Sequence, residues 1–210
     1  MRFGSPRNSN PGPYLNCIRQ AINSAIIYKG TDLRSLLAKK NAWKAVVKIF
    51  KLAWRHKRKI MFIGNGGSAA IAGHMSLDFS NAGKIRAVCF NDGPLLTCLA
   101  NDYSYQKVFE KAVGMYADSG DVLVAISSSG QSENILNGVI SAKQKGCTVI
   151  TLSGFERENP LMKLGDWNIY VPLPRPNYGQ VEVSHYIILH FLLDYITKNP
   201  VLRERSRHVV

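Results

Sequence analysis

With 210 residues, 46% of them hydrophobic, the chain can hold one α/β domain with a real core and is too short for two large ones. No apolar run approaches the roughly 20 residues that span a bilayer, and the opening MRFGSPRNSNPGPY has no hydrophobic signal region, so a cytoplasmic protein with no membrane association is expected. A net charge of +13, from 27 Lys and Arg against 14 Asp and Glu, sets nucleic acid, an acidic surface or anionic metabolites against a plain solvated surface.

Residues 1–12 read as a flexible lead-in. Leu15, Ile18, Ile22 and Ile26 then recur at helical spacing up to Gly30, and a second helix starts near Thr31 and Asp32 and carries Leu36, Trp43, Val47, Phe50 and Trp54. The lysines of this second helix fall between its apolar positions, as on a solvated face. No aromatic-basic stacking motif accompanies them, so nucleic acid is not the expected partner. After these N-terminal helices, 13–57, come five short apolar runs closed by turn residues: 59–63, 86–90, 121–126, 148–153 and 168–172. Helical stretches separate them, which implies right-handed crossovers and a parallel sheet covered on both faces over 58–198. A final helix spans about Gln180 to Thr197, and a basic tail, RERSRH within it, fills 199–210. Cys17, Cys89, Cys98 and Cys147 stand apart with no CxxC spacing and are expected reduced and mostly buried.

Two strand-to-helix turns carry the residues of a binding site. One is Gly64-Asn65-Gly66-Gly67-Ser68; the other is Ser127-Ser128-Ser129-Gly130-Gln131-Ser132. Glycine lets a backbone approach a ligand at positive φ, and clustered hydroxyls can surround phosphate oxygens without fixed charge. Neither turn is a Walker motif or a dinucleotide fingerprint, and a tight turn with a Ser N-cap would explain the first alone; the pair together reads as a phosphate cradle. On the helix after the first turn, His74 and Asp78 share a face at i and i+4. The final helix adds Glu182, His185 and His190, of which His185 and His190 point about 140° apart. If the two helices meet, His74, Asp78, Glu182 and His190 form a nitrogen and oxygen cluster suited to Zn²⁺ or another divalent metal, or to acid–base work without one. The alternatives are a satisfied core histidine at His190 and a solvated charge at Asp78.

GNGGSAAIAGH, NDGPLLTCLAND, GDVLVAISSSGQSENI and GCTVITLSG, in this order and spacing, resemble the SIS (sugar isomerase) domain family over about residues 30–197, and within it the branch that isomerises sedoheptulose 7-phosphate. The resemblance implies a three-layer sandwich around a five-stranded parallel flavodoxin-like sheet, a homotetramer with sites between subunits, and conversion of a ketose phosphate to an aldose phosphate through a zinc-assisted enediol. By position it assigns substrate contacts to Asn65, Gly66, Gly67, Ser68, Asn91, Asp92, Ser127, Ser128, Ser129, Ser132 and Glu182. It assigns metal ligation to His74, Asp78, Glu182 and His190, and proton transfer to Asp78 and His190. The family carries Glu at Asp78, Gln at Glu182 and Asp at Gly179, and its usual arginine is missing from SNAGKIR. A non-catalytic sugar-phosphate-binding adaptor of the same family is the competing function.

Overall fold

The computed structural model describes residues 10–30 and 39–197. The expected start of the second helix, the residue Leu36 and the basic tail lie outside the described residues. Chain order runs α1 (Gly12–Ser24), β1 (Ile26–Lys29), α2 (Lys39–Arg55), β2 (Ile60–Gly64), α3 (Gly67–Asn81), β3 (Ala87–Cys89) and α4 (Gly93–Asp102). There follow α5 (Val108–Tyr116), β4 (Val122–Ser127), α6 (Glu133–Gln144), β5 (Thr148–Gly154), β6 (Trp167–Val171) and α7 (Tyr178–Thr197), with short 3₁₀ turns at Tyr105–Lys107 and Pro160–Lys163.

The sheet has six strands, ordered β1-β6-β5-β4-β2-β3, rather than five. The additional strand corrects the reading of one continuous first helix: α1 stops at Ser24, Ala25 turns extended at ψ 136, and Ile26–Lys29 pairs antiparallel with β6. A strand therefore stands between the two N-terminal helices. Ile26, Ile27 and Tyr28 are β-branched or aromatic and gain more from a sheet edge than from a helix; Tyr28 is fully buried, clustered with Met162 and Tyr170.

The other five strands are parallel, and numbered from β2 they run 2-1-3-4-5, the flavodoxin-like order. Side chains alternate across this sheet. Ile60, Phe62, Val122, Val124 and Ile126 face α2, α3 and α7, while Met61, Ile63, Leu123 and Ala125 face α5 and α6. Phe62, fully buried against Phe79 at 5.4 Å between rings, illustrates the driving force, since burying one such side chain contributes about 1.5–3 kcal/mol. All four cysteines are free, but only Cys147 is buried; Cys17 and Cys89 are half-buried and Cys98 is exposed, because its side of α4 faces outward.

Candidate active site

In a sheet of this order the strand sequence reverses between β2 and β4, and their carboxyl ends open a crevice there. The glycine turn and the serine turn stand on those two strands. A Cβ at Gly64 would lie 2.5 Å from the Ser68 carbonyl oxygen, and Gly66 holds φ 54 just before α3, so the chain can only enter this helix through glycine. Asn65 donates to Asn134 Oδ1 at 2.9 Å, Asn134 donates back at 3.0 Å, and the Tyr105 hydroxyl donates to Asn65 Oδ1 at 3.1 Å. Both ends of the Asn65 amide are thus engaged, and the turn after β2 is tied to the first turn of α6. Asn134 escaped the sequence reading; its signal was its place two residues beyond Ser132.

The serine turn is braced partly from within. Ser127 Oγ accepts from Gly130 N at 3.1 Å and Ser129 Oγ from Gln131 N at 3.3 Å, while Ser132 sits immediately before α6, whose first N–H groups face this turn. Ser128 Oγ is buried without a hydrogen-bond partner among the described residues. Ser68 is buried too. Asn91 donates to the Ala69 carbonyl at 2.9 Å, and Asp92 caps α4 by accepting from Leu95 N at 3.2 Å.

Helices α3 and α7 pack side by side on one face of the sheet and bring three ligand-type side chains together. His74 Nε2 lies 3.0 Å from Asp78 Oδ2, and His190 Nδ1 lies 3.8 Å from the same oxygen. One donor atom from each of the three falls within 4.8 Å of the others. Tyr186 meets both imidazoles edge-on, at 5.2 Å and 4.5 Å between ring centres, and fixes their separation. Two imidazoles and a carboxylate on rigid helices, all partly exposed, match the donor chemistry of a three-ligand catalytic metal site with an open position, so these residues fit a divalent metal.

Glu182 is not in that trio. Its carboxylate lies directly over Gly67, where a Cβ would collide with it, so the start of α3 already faces a carboxylate of the protein's own. A hollow of about 290 Å³ lined by Gly67, Ala70, His74, Glu182 and Tyr186 joins this carboxylate to the histidine cluster. Burial raises the Glu182 carboxyl above its ordinary value. The fold therefore favours its neutral form, and the penalty grows as pH rises through its folded pKa. Glu182→Gln, which removes the charge, should raise the melting temperature by about 1–2 °C near neutrality and have no effect below about pH 4; thermal scans at both pH values check it. His185, three residues on, turns away from the cluster and is wholly buried, with Nε2 3.1 Å from the Ser153 carbonyl oxygen.

A flavodoxin-like sheet with glycine and serine turns at its reversal point and a His-Asp-His cluster beside them defines an α/β protein with a crevice at the strand ends, where ligands of such sheets bind. Comparison with known proteins narrows this. The family profile described as SIS domain matches residues 33–154. A phosphoheptose isomerase of Coxiella burnetii (strain Dugway 5J108-111) is 35% identical over 149 residues, 68% of this chain and 75% of that protein. One of Sulfurimonas denitrificans is 32% identical over 164 residues, 75% of this chain and 83% of its own. Among solved structures, the phosphoheptose isomerase from Neisseria gonorrhoeae superposes with a TM-score of 0.72 at 26% identity, covering 90% of this chain and 95% of that one. The Francisella tularensis enzyme gives 0.73 at 25%, over 90% and 96%. The chain belongs to the SIS domain family.

Proposed function

We propose that this protein is an aldose–ketose isomerase that converts sedoheptulose 7-phosphate into a glycero-manno-heptose 7-phosphate. The observation that carries the reading is the convergence of His74, Asp78 and His190 beside the reversal-point crevice, in a chain whose relatives are phosphoheptose isomerases. A protein that only bound a sugar phosphate would not need three such side chains to converge, so the adaptor reading is not favoured.

Moving the carbonyl from C2 to C1 requires a base for the C1 proton, a group that handles protons on the oxygens, and stabilisation of the enediolate. The serine turn and the start of α6 seat the phosphate by N–H and O–H donors, which places the sugar along the glycine turn. Asp78 takes the proton from C1 and returns it at C2; His190 moves the proton between the two oxygens. His74, Asp78 and His190, with Glu182 on the adjoining wall, would hold a zinc ion, which supplies Lewis-acid polarisation of the carbonyl and charge stabilisation for the enediolate. Asn65, through Asn134, holds the two turns at a fixed distance.

The rest of the reading concerns organisation. A single SIS domain occupies 13–198, flanked by the lead-in and the basic tail, and works in the cytoplasm; no helix among the described residues is long and apolar enough to cross a membrane. Val183, Ile187, Phe191 and Tyr195, every fourth residue of α7, are 38–46% exposed and make an apolar stripe beside the cluster. Such a stripe supports a homotetramer whose sites form between subunits.

The test is to incubate the zinc-loaded protein with sedoheptulose 7-phosphate in D₂O and follow proton and phosphorus NMR. Aldoheptose phosphate, or deuterium at the reacting carbon without net conversion, is expected. No exchange from a metal-loaded sample that still binds the sugar would overturn the enediol reading.

A further inference from the structure

The edge of the sheet opposite the crevice, where β2 and β3 begin, carries a feature the isomerase reading does not use. Arg55 at the end of α2, Lys57 and Arg58 in the turn to β2, and Lys84 and Arg86 before β3 surround one hollow of about 330 Å³. All five are exposed, and Trp54 and Ile85 complete the wall. Beyond Arg55 a second hollow of about 230 Å³ continues along α2 past Lys51, Lys48 and Lys44, which step by three or four residues along one helix face. Among the described residues no acidic side chain lines either hollow. Asp118, the carboxylate that feels Arg58 and Arg86 at a distance, is engaged by Lys59 at 2.6 Å and holds a lowered pKa chiefly through that contact.

Basic residues are expected at a helix C-terminus, where they complement the dipole. That accounts for Arg55. It does not account for Lys84 and Arg86, which come from a different segment and close the same hollow. Lys57 and Lys84 both stand in the left-handed region, at φ 55 and 51, where glycine or asparagine is the usual choice. Arg86 donates to the Lys57 carbonyl at 3.3 Å and ties the two turns together. The five basic residues thus border one concave surface, with Arg58 lying beside Gly120 and Arg86 held on the Lys57 carbonyl.

We propose that this hollow is a second anion site that binds an oligophosphate anion of three or more linked phosphates, free or as the tail of a nucleotide. A lone phosphate brings about two negative charges, too few to match five cations, whereas a linked chain offers each of them an oxygen. The volume is that of a small-ligand site, of which pockets of about 300–1,000 Å³ are typical. This inference stands apart from the isomerase reading and uses none of its catalytic, metal or substrate residues.

Titration calorimetry of the full chain with tripolyphosphate, with ATP and with a single-stranded oligonucleotide tests it. Three proteins are compared: the wild type, Lys57→Glu/Lys84→Glu, and Lys145→Glu/Lys163→Glu, which makes the same change in net charge at residues lining neither hollow. The expected result is saturable binding of tripolyphosphate, weakened about tenfold or more by the first pair of substitutions and less than about twofold by the second, with steep loss at high salt. Equal affinity for ATP and tripolyphosphate assigns the site to the phosphate chain alone; tighter binding of ATP assigns it to a nucleotide tail. Isomerase activity and melting temperature of the first variant should match wild type, which separates loss of the site from loss of the fold. Equal weakening by both pairs, absence of saturable binding, or an oligonucleotide that displaces tripolyphosphate and binds far more tightly would overturn the proposal.

Discussion

Asp78→Asn lowers turnover by about 10²–10⁴-fold while binding of the phosphate ester changes by less than about twofold. The substitution keeps the shape of the side chain and removes its basicity and its charge, and with the charge its strength as a metal ligand, so the comparison is made at matched zinc content. In the structure Asp78 Oδ2 is the atom shared by the cluster, 3.0 Å from His74 Nε2 and 3.8 Å from His190 Nδ1, and among the described residues no other carboxylate joins that cluster. Glu182 belongs to the neighbouring hollow and lies over Gly67. The serine turn proposed to seat the phosphate, in contrast, stands between a different strand and helix, β4 and α6, while Asp78 is on α3. An effect on kcat without an effect on ester affinity is the signature of a group that acts on the reacting carbon. Initial-rate kinetics together with calorimetry on a non-isomerisable phosphate ester separate the two, and undiminished activity in Asp78→Asn would sink the base assignment.

How much of this was legible in the sequence differs from element to element. The parallel core was, because β2, β4 and β5 are continuous apolar runs ended by turn residues, and their burial follows from the helices between them. β1 was not. Ile26 continues the helical spacing of Ile18 and Ile22, and the partner that makes Ile26–Lys29 a strand, β6, lies far along the chain, with Ile26 paired to Tyr170. A local pattern cannot register such a distant partner. Within the site, the shared face of His74 and Asp78 and the divergence of His185 from His190 followed from helical angles alone. Two other features did not. The hydrogen bonds of the Asn65 amide to Asn134 and Tyr105 join residues brought near only by the sheet order. The position of Glu182 over Gly67 depends on how α7 crosses α3, which spacing within one helix does not fix.

The second large effect is on stability in acid, and it comes from His185. This side chain is fully buried between α7 and the end of β5, with one ring nitrogen on the Ser153 carbonyl and Nδ1 without a hydrogen-bond partner among the described residues. Burial holds its pKa down at about 4, from 6.5. A base whose folded pKa is depressed stabilises the fold above its unfolded pKa, and that contribution is lost as pH falls through the window toward the folded value. At about 1.4 kcal/mol per pH unit this amounts to about 3 kcal/mol between pH 6.5 and 4. Urea titrations across that window should show the loss, and His185→Phe, whatever its absolute stability, should flatten the slope by about that amount. The consequence reaches the site. Gly154, beside Ser153, donates to the Ser128 carbonyl at 2.9 Å, so the strand end that His185 anchors also holds the serine turn. If the serine turn seats the phosphate as proposed, the expected result is that phosphate-ester affinity falls with pH ahead of the unfolding transition. If His185→Phe retained the full acid slope, the loss would have to be assigned to the carboxylates, and the coupling between this buried imidazole and the serine turn would be refuted.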